Sequence, residues 1–173
     1  MKGLDVELIT IDFETYYDRD YSLSKLPTDE YVSSIQFQII GVGIKRGSEP
    51  SVWHPNTSDN LAVQAALSGI DWSDAAVICH NTLFDGYILT YHFGVRPKLW
   101  MDTLSMSRML YPYLSSHSLA ALSKLFGLPE KGTFVQNALG RRLESFNTAE
   151  LNQYGEYCLG DVDNTYTLAT KFI

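Results

Sequence analysis

The sequence predicts an α/β fold, because strand-like and helix-like segments follow one another along the chain. Three observations carry the prediction: strand-like apolar segments near the N-terminus, an apolar run in the middle that a helical pattern follows, and helical periodicity in the last third. The chain has 173 residues, of which 45% are hydrophobic. Because this length can bury one sizeable core, we expect a single domain over residues 1–173.

Three strands are predicted in the first part of the chain. The segment 7–13 (ELITIDF) has the composition of a strand. The segment 37–55 (FQIIGVGIKRGSEPSVWHP) predicts two more strands, joined by a turn at Arg46–Pro50. We expect these three strands to pair as a meander.

A helix and a βαβ unit are predicted in the middle of the chain. Capping residues open the segment Thr57–Ile70, in which Leu61, Ala65 and Leu67 recur at near-helical spacing. The apolar run AAVICHN then predicts a strand that is covered on both faces, and a helical pattern follows it. With KLWMD as the next strand, a βαβ unit results.

Most of the remaining sequence is helical in character. The segments 118–128 (SLAALSKLFGL) and 147–172 carry helical periodicity. Asn147 precedes Glu150 by three residues, which is the spacing of a capping box. We therefore expect the second of these helices to begin at this pair.

Charge and composition limit the possible partners. The formal net charge of −7 disfavours a long contact with duplex nucleic acid, so any such contact should be short and local. No apolar run approaches the roughly 20 residues that span a bilayer, and MKGLDVE lacks the apolar core of a signal peptide. We expect a cytoplasmic protein without membrane contact. The two cysteines, Cys79 and Cys158, lie in apolar segments and are predicted to be buried thiols rather than metal ligands.

Two carboxylates lie at the end of the first predicted strand, in the stretch ITIDFETYY. Asp12 and Glu14 share one strand face because side chains alternate with a period of 2, while Phe13 points to the opposite layer. Their mutual repulsion can be offset by a cation, and carboxylate oxygens suit Mg²⁺ or Mn²⁺. The alternative is a solvated strand end.

Further acidic residues follow at two other structural junctions. Asp85 comes after the AAVICHN strand, at the start of a helix that Asn81 is predicted to cap. An acid in a first helical turn is also favoured by the helix dipole alone. Tyr157 and Asp161 stand four residues apart, so that a phenol and a carboxylate share one helical face.

Taken together, these segments resemble the DEDD 3′–5′ exonucleases, in the subgroup whose third motif carries tyrosine. IDFETYY is similar to the first motif of that family, HNTLFD to its second and YCLGD to its third, in the same order. The resemblance implies a ribonuclease H-like three-layer fold, with a mixed central sheet flanked by helices. Connecting segments such as MDTLSMSRML are similar to the N-terminal proofreading domains of phage-type family A DNA polymerases.

The resemblance also implies the roles of the motif residues. Asp12, Glu14, Asp85 and Asp161 would hold two divalent ions, Mg²⁺ or Mn²⁺, and Tyr157 would orient the attacking water. Such ions neutralise charge at the entering and leaving oxygens of a phosphodiester. The implied reaction is hydrolysis at single-stranded or frayed DNA 3′ ends.

Substrate contacts and partners follow from the same resemblance. The backbone near Thr15 and Tyr16 would meet the 3′-terminal nucleotide, Asn81 would line its site, and Phe84 and Tyr16 are candidates for packing on its base. The expected partners are a single-stranded DNA 3′ end and a polymerase domain, in the same chain or a companion chain. The final TLATKFI has no helix-ending Gly or Pro, so we expect a longer polymerase to follow, in a host cytoplasm if the source is a phage.

Several residues compete for these roles. Asp163 lies two positions after Asp161 and therefore faces elsewhere on a helix, and Tyr154 lies seven positions before Asp161, on nearly the same face but two turns away. Asp102 ends a predicted strand and is expected to be structural. Three other functions stay open: an aspartate-based phosphatase, a stand-alone exoribonuclease, and an exonuclease-like domain that only binds.

Overall fold

The computed structural model describes residues 6–130 and 137–173, and these form a five-stranded sheet with helices packed against it. The strands are β1 (Glu7–Thr15), β2 (Ile39–Arg46), β3 (Val52–Pro55), β4 (Ala75–Cys79) and β5 (Leu99–Asp102). The helices are α1 (Thr28–Ser33), α2 (Leu61–Ser68), α3 (Thr82–Phe93), α4 (Thr103–Leu110), α5 (Leu119–Leu125) and α6 (Thr148–Phe172). The segment Met1–Asp5, for which no signal peptide was predicted, lies outside the described residues.

The sheet is mixed, with the strand order β3-β2-β1-β4-β5. β1 pairs antiparallel with β2, and β2 pairs antiparallel with β3, which confirms the predicted meander. β4 pairs parallel with β1 on one side and with β5 on the other, so β4, α3 and β5 form the predicted βαβ unit. The α/β class is confirmed.

The two faces of the sheet carry different side chains. On one face a large apolar cluster buries Ile9, Ile11 and Phe13 of β1, together with residues of β2, β4 and α3. The Phe13 ring stacks on Phe93 of α3, with 6.3 Å between ring centroids. The neighbouring residues of β1 point to the other face, where α6 packs. Phe13 therefore lies in the layer opposite Asp12, as the sequence predicts.

Glycines allow α6 to approach the sheet closely. A Cβ atom on Gly43 of β2 would lie 2.8 Å from the Cys158 sulfur, and one on Gly155 of α6 would lie 2.4 Å from the Trp53 ring. A Cβ on Gly41 would meet the same ring at 2.3 Å. The indole of Trp53 thus fills a slot between β2 and α6 that only glycine leaves open, and this contact fixes the position of the helix.

One predicted helix has a different buried face, and one helix was not predicted. α2 lies between Asn60 at its N-cap and Gly69 at its C-cap, as the sequence predicts. Leu61 is 59% exposed, and the buried residues of α2 are Val63 and Leu67. α1 was not predicted, although Pro27 precedes it and it buries residues.

The last helix begins as predicted, with Asn147 and Glu150 forming a capping box. None of the helices in the described part of the chain combines the length and apolar character that a bilayer crossing needs.

Candidate active site

The end of β1 directs two carboxylates toward α6. Asp12 lies opposite Gly43 and Glu14 lies opposite Gly41, so the glycines of β2 leave space beside both acids. Glu14 is only 8% exposed. One ligand atom each from Asp12, Glu14 and Cys158 can be chosen so that all lie within 4.8 Å of one another. The predicted pair therefore meets a residue of α6.

Asp85 is held at the start of α3 against the same strand. Its side chain is 2% exposed, and its Oδ1 accepts a hydrogen bond of 2.9 Å from the backbone N–H of Phe13. Burial, and after it the charge of Asp12, hold the pKa of the Asp85 carboxyl well above its usual range. Because the shift includes a contribution from Asp12, the two acids lie within electrostatic range of each other.

Asp161 joins this group from α6. It is 5% exposed. Burial raises the pKa of the Cys158 thiol, and the charges of Asp12, Glu14 and Asp161 raise it further. The structure thus groups Asp12 and Glu14 with Cys158, and it places Asp85 within electrostatic range of Asp12 and Asp161 within electrostatic range of the Cys158 thiol.

This donor set suits a divalent cation. Clustered carboxylates in a buried setting repel one another, and a hard cation with oxygen ligands offsets that repulsion. The Cys158 sulfur lies 3.4 Å from the backbone oxygen of Asp12 and 3.6 Å from its Oδ2. Both cysteines are buried and free, as predicted. The proximity of Cys158 to Asp12 was not predicted, although the sequence places it between Tyr157 and Asp161.

Two tyrosines of α6 lie on the side of the helix that faces the sheet. Tyr157 is buried in a cluster with Tyr154, Ile40 and Phe146. The Tyr154 ring is fully buried, and the pKa of its phenol is raised by burial first and then by the charge of Glu14 and a hydrogen bond with it. Tyr154, which we treated as a competitor, therefore lies within electrostatic range of a motif residue.

Asp163 faces away from this group. Its side chain is 51% exposed and pairs with Lys45 at 3.0 Å, and it also accepts a hydrogen bond from Ser51. Lys45 lies on β2, so this ion pair ties α6 to the sheet. Asp163 thus has a structural partner.

The substrate-binding candidates on β1 are engaged within the protein. The Thr15 hydroxyl shares a hydrogen bond of 2.8 Å with the Tyr31 hydroxyl. The Tyr16 ring stacks on Tyr21 with 5.9 Å between centroids, and the guanidinium of Arg142 lies 4.0 Å from the Tyr16 centroid. Tyr16 therefore contacts other residues through its ring, and sequence reasoning did not single out Arg142.

The candidates near α3 lie at its first turn. Asn81 takes the N-cap position with φ 80°, but its side chain makes no capping bond, contrary to our prediction. Its backbone N–H instead donates to Asp102 Oδ1 at 2.9 Å. Asp102 also accepts from Leu104 N and caps α4, which agrees with a structural role. Phe84 is half-buried, and its ring lies 6.1 Å from that of Tyr31.

A comparison with protein families returns a match over most of the chain. A family model described as 3′-5′ exonuclease (DNA_pol_A_exo1) matches residues 28–173. None of the curated proteins matches the sequence. The matched range includes the second and third motifs.

Solved structures share the fold at low sequence identity. NrnC of Brucella melitensis has a TM-score of 0.64 and 19% identity, over 99% of this chain and 74% of NrnC, and it is also known with bound Mg²⁺. A family B DNA polymerase of Pyrobaculum calidifontis has a TM-score of 0.68 and 16% identity, over 96% of this chain and 24% of the polymerase. RNase D of Trypanosoma brucei has a TM-score of 0.66 and 18% identity, over 97% of this chain and 58% of RNase D.

Proposed function

The chain belongs to the 3′–5′ exonuclease family, and from this premise we propose that it trims single-stranded or frayed DNA 3′ ends in a metal-dependent hydrolysis that proofreads DNA synthesis. Its fold is the ribonuclease H-like three-layer fold that the DEDD resemblance implies, with a mixed sheet flanked by helices. The observation that supports the proposal is the grouping of Asp12 and Glu14 with Cys158 of α6, with buried Asp85 in electrostatic range of Asp12 and buried Asp161 in electrostatic range of Cys158.

We assign the binding of two divalent cations, Mg²⁺ or Mn²⁺, to these four carboxylates. When bound, such ions supply charge neutralisation at the entering and leaving oxygens of the phosphodiester and lower the pKa of a water. The protein itself positions the carboxylates. The backbone N–H of Phe13 fixes the Asp85 carboxylate, and the slot filled by Trp53 fixes the helix that carries Asp161.

We assign to Tyr157 the role of orienting the attacking water. Its place one turn before Asp161 lets a phenol hydroxyl act beside a carboxylate, where it can orient a nucleophile in line with the leaving oxygen. Because orientation matters most in the transition state, this residue should act on turnover rather than on affinity. Asn81, Phe84 and the backbone near Thr15 and Tyr16 remain our candidates for contact with the terminal nucleotide.

An exoribonuclease is the second candidate function. The family model takes its name from DNA polymerases, which favours DNA. Against that, one structural neighbour is Escherichia coli RNase D, described as an exoribonuclease involved in structured RNA processing. The 2′-hydroxyl is the group by which a protein distinguishes the two substrates. A non-catalytic binding domain is the third possibility.

The proposed partner is a polymerase domain, in the same or a companion chain, acting in the cytoplasm. The family B polymerase supports this arrangement, since the likeness spans only 24% of that chain. A net charge of −7 also agrees with a module whose partner supplies most of the affinity for DNA.

A single assay separates the three possibilities. Purified protein is incubated with 5′-labelled single-stranded DNA and RNA of the same sequence, with Mg²⁺, with Mn²⁺ and with excess chelator. We expect a ladder of 3′-shortened products, faster on DNA and absent in chelator. Faster loss of RNA would favour the exoribonuclease, and intact substrates in every condition would favour the binding domain. Activity that persists in chelator would contradict metal dependence.

A further inference from the structure

Two adjacent arginines, Arg141 and Arg142, lie in the segment before α6, and they make different contacts. Arg141 forms a bidentate pair with Glu150, at 2.9 Å and 2.8 Å, and donates to the Ser145 carbonyl. Its guanidinium also lies 4.2 Å from the Phe146 ring centroid. Arg141 is thus a structural residue that holds the start of α6.

Arg142 lacks such a pair. Its guanidinium lies over the Tyr16 ring, and its Nη1 donates a hydrogen bond of 3.2 Å to the Gln36 carbonyl. Among the described residues, no carboxylate forms an ion pair with it. A guanidinium carries five N–H donors. The Gln36 carbonyl and the Tyr16 hydroxyl account for part of these donors, which leaves others for an anion.

The acid within electrostatic range of Arg142 is already engaged. The Asp18 carboxylate accepts hydrogen bonds from the Tyr16 hydroxyl at 2.5 Å and from the Tyr21 backbone at 2.7 Å. These bonds lower the pKa of Asp18 more than the charge of Arg142 does. Asp18 therefore holds the Tyr16 ring in place, and the ring supports the guanidinium.

Backbone contacts fix the segment around Arg142 beside the end of β1. Gly140 N donates to the Tyr17 carbonyl at 2.8 Å, and Leu143 N donates to Gln38 Oε1 at 3.0 Å. Gln38 also accepts from Tyr16 N through its carbonyl, at 2.8 Å. The guanidinium is thus anchored on the ring of a residue only two positions after Glu14.

We propose that Arg142 binds an internucleotide phosphate of the substrate strand, on the 5′ side of the bond that is cut. The inference rests on the proposed function. A nucleic acid that brings its scissile phosphate to a group of four carboxylates brings further negative charge, and the neighbouring phosphate needs a cation. Arginine suits this task because its planar fork matches phosphate oxygens. Tyr16 is then a positioning residue for Arg142 rather than a platform for a base.

Binding measurements test the proposal with Arg141 as the matched control. All variants carry Asp12→Asn to prevent cleavage, and the probe is a fluorescent single-stranded oligonucleotide in Mg²⁺ at several salt concentrations. Arg142→Gln keeps a polar side chain with an N–H donor but removes the charge. We expect about tenfold weaker binding and a salt slope smaller by roughly 0.7, as for one lost phosphate contact. Arg141→Gln should weaken binding less than twofold with the same slope.

Uncharged linkages in the oligonucleotide identify the phosphate that Arg142 binds. Replacing one phosphate at a time by methylphosphonate should weaken binding by the Arg142-containing protein at one linkage 5′ of the scissile bond. At that linkage Arg142→Gln should show no further loss, because the two changes remove the same contact. Losses that add fully at every linkage would overturn the proposal.

The outcomes separate this proposal from the proposed function. If the wild-type protein trims 3′ ends and Arg142→Gln binds like Arg141→Gln, only the role of Arg142 is wrong. If the wild type neither trims nor binds any strand, both are wrong. Arg142→Lys, which keeps the charge without the fork, should recover part of the affinity and restore the salt slope.

Discussion

The two faces of the central sheet differ in what they pack against. One face of β1 presents Ile9, Ile11 and Phe13 to α3 and its neighbours, and large apolar side chains fill the space between. The other face presents Asp12 and Glu14 to α6, across glycines of β2. A single strand thus contributes to an apolar core on one side and to a group of acids on the other.

The difference shows where stability and function lie in this fold. Burial of apolar side chains stabilises the first face by about 25 cal/mol for each Å² removed from water. On the second face, buried carboxylates destabilise the protein until a cation or a proton offsets their charge. The close fit of Trp53 between glycines holds α6 there against that repulsion.

The largest effects should follow from removing an acid of the second face. Asp12→Ala is expected to lower exonuclease activity by roughly a hundredfold or more, because a cation is lost or misplaced. Asp85→Asn should be similarly inactive, yet its melting temperature in chelator should equal or exceed that of the wild type. The asparagine can still accept from Phe13 N and carries no buried charge.

Asp163→Asn serves as the control, since Asp163 is exposed and pairs with Lys45. Its activity should stay within about twofold of the wild type, because Asp163 is 51% exposed and faces away from the acids. Wild-type turnover by Asp12→Ala, or inactivity of Asp163→Asn, would contradict the assignment of the site.

A smaller effect is expected from the two tyrosines. Tyr157→Phe should reduce kcat by roughly ten- to a hundredfold and leave KM almost unchanged, because an orienting hydroxyl acts mainly in the transition state. Tyr154→Phe should affect turnover less and instead lower the melting temperature, since its buried phenol interacts with Glu14. A steady-state comparison in which only Tyr154→Phe is slow would reverse the two roles.

The glycine contacts of α6 allow a test of packing alone. Gly155→Ala places a Cβ against the Trp53 ring and should destabilise the protein by about 1–3 kcal/mol. Gly160→Ala, on the same helix with no atom near its Cβ, should instead stabilise by about 0.5–1 kcal/mol through helix propensity. Thermal or urea unfolding measures both, and equal shifts in one direction would show that the slot does not limit the approach of α6.

The smallest effect concerns the start of α6. The Arg141 guanidinium and the capping-box hydrogen bond lower the pKa of Glu150 to about 2. A lowered pKa stabilises the folded state above the unfolded value of 4.5, and the contribution is lost as the pH falls toward 2. Glu150→Gln should therefore melt below the wild type at pH 7 and approach it near pH 2. A constant difference across that range would exclude this ion pair as the cause.

Much of the fold could be predicted from local sequence, because strand periodicity and capping residues are local signals. The meander, the βαβ unit and the capping box at Asn147 are examples. The buried face of α2 could not be predicted, since Leu61 is exposed while Val63 and Leu67 are buried, and tertiary packing decides which face is covered. α1 was missed because a helix of six residues has too few turns for a periodic pattern.

Some residues of the candidate site could be predicted from the sequence, and others could not. The four acids were singled out because motif spacing fixes which strand or helix carries each of them. The nearness of Cys158 and the use of Arg142 depend on how α6 and the preceding segment pack, which spacing along the chain does not specify. The electrostatic effect of Glu14 on the Tyr154 phenol likewise depends on the position of α6 over β1.

A crystal structure with Mn²⁺ tests the central claim most directly, namely that acids from β1, α3 and α6 form one cation site. Anomalous scattering should locate Mn²⁺ with oxygens of Asp12, Glu14 and Asp161 within about 2.5 Å, and Asp85 bound directly or through water. Mn²⁺ coordinated by Asp163 instead, or no ion among the four acids at millimolar Mn²⁺, would contradict it.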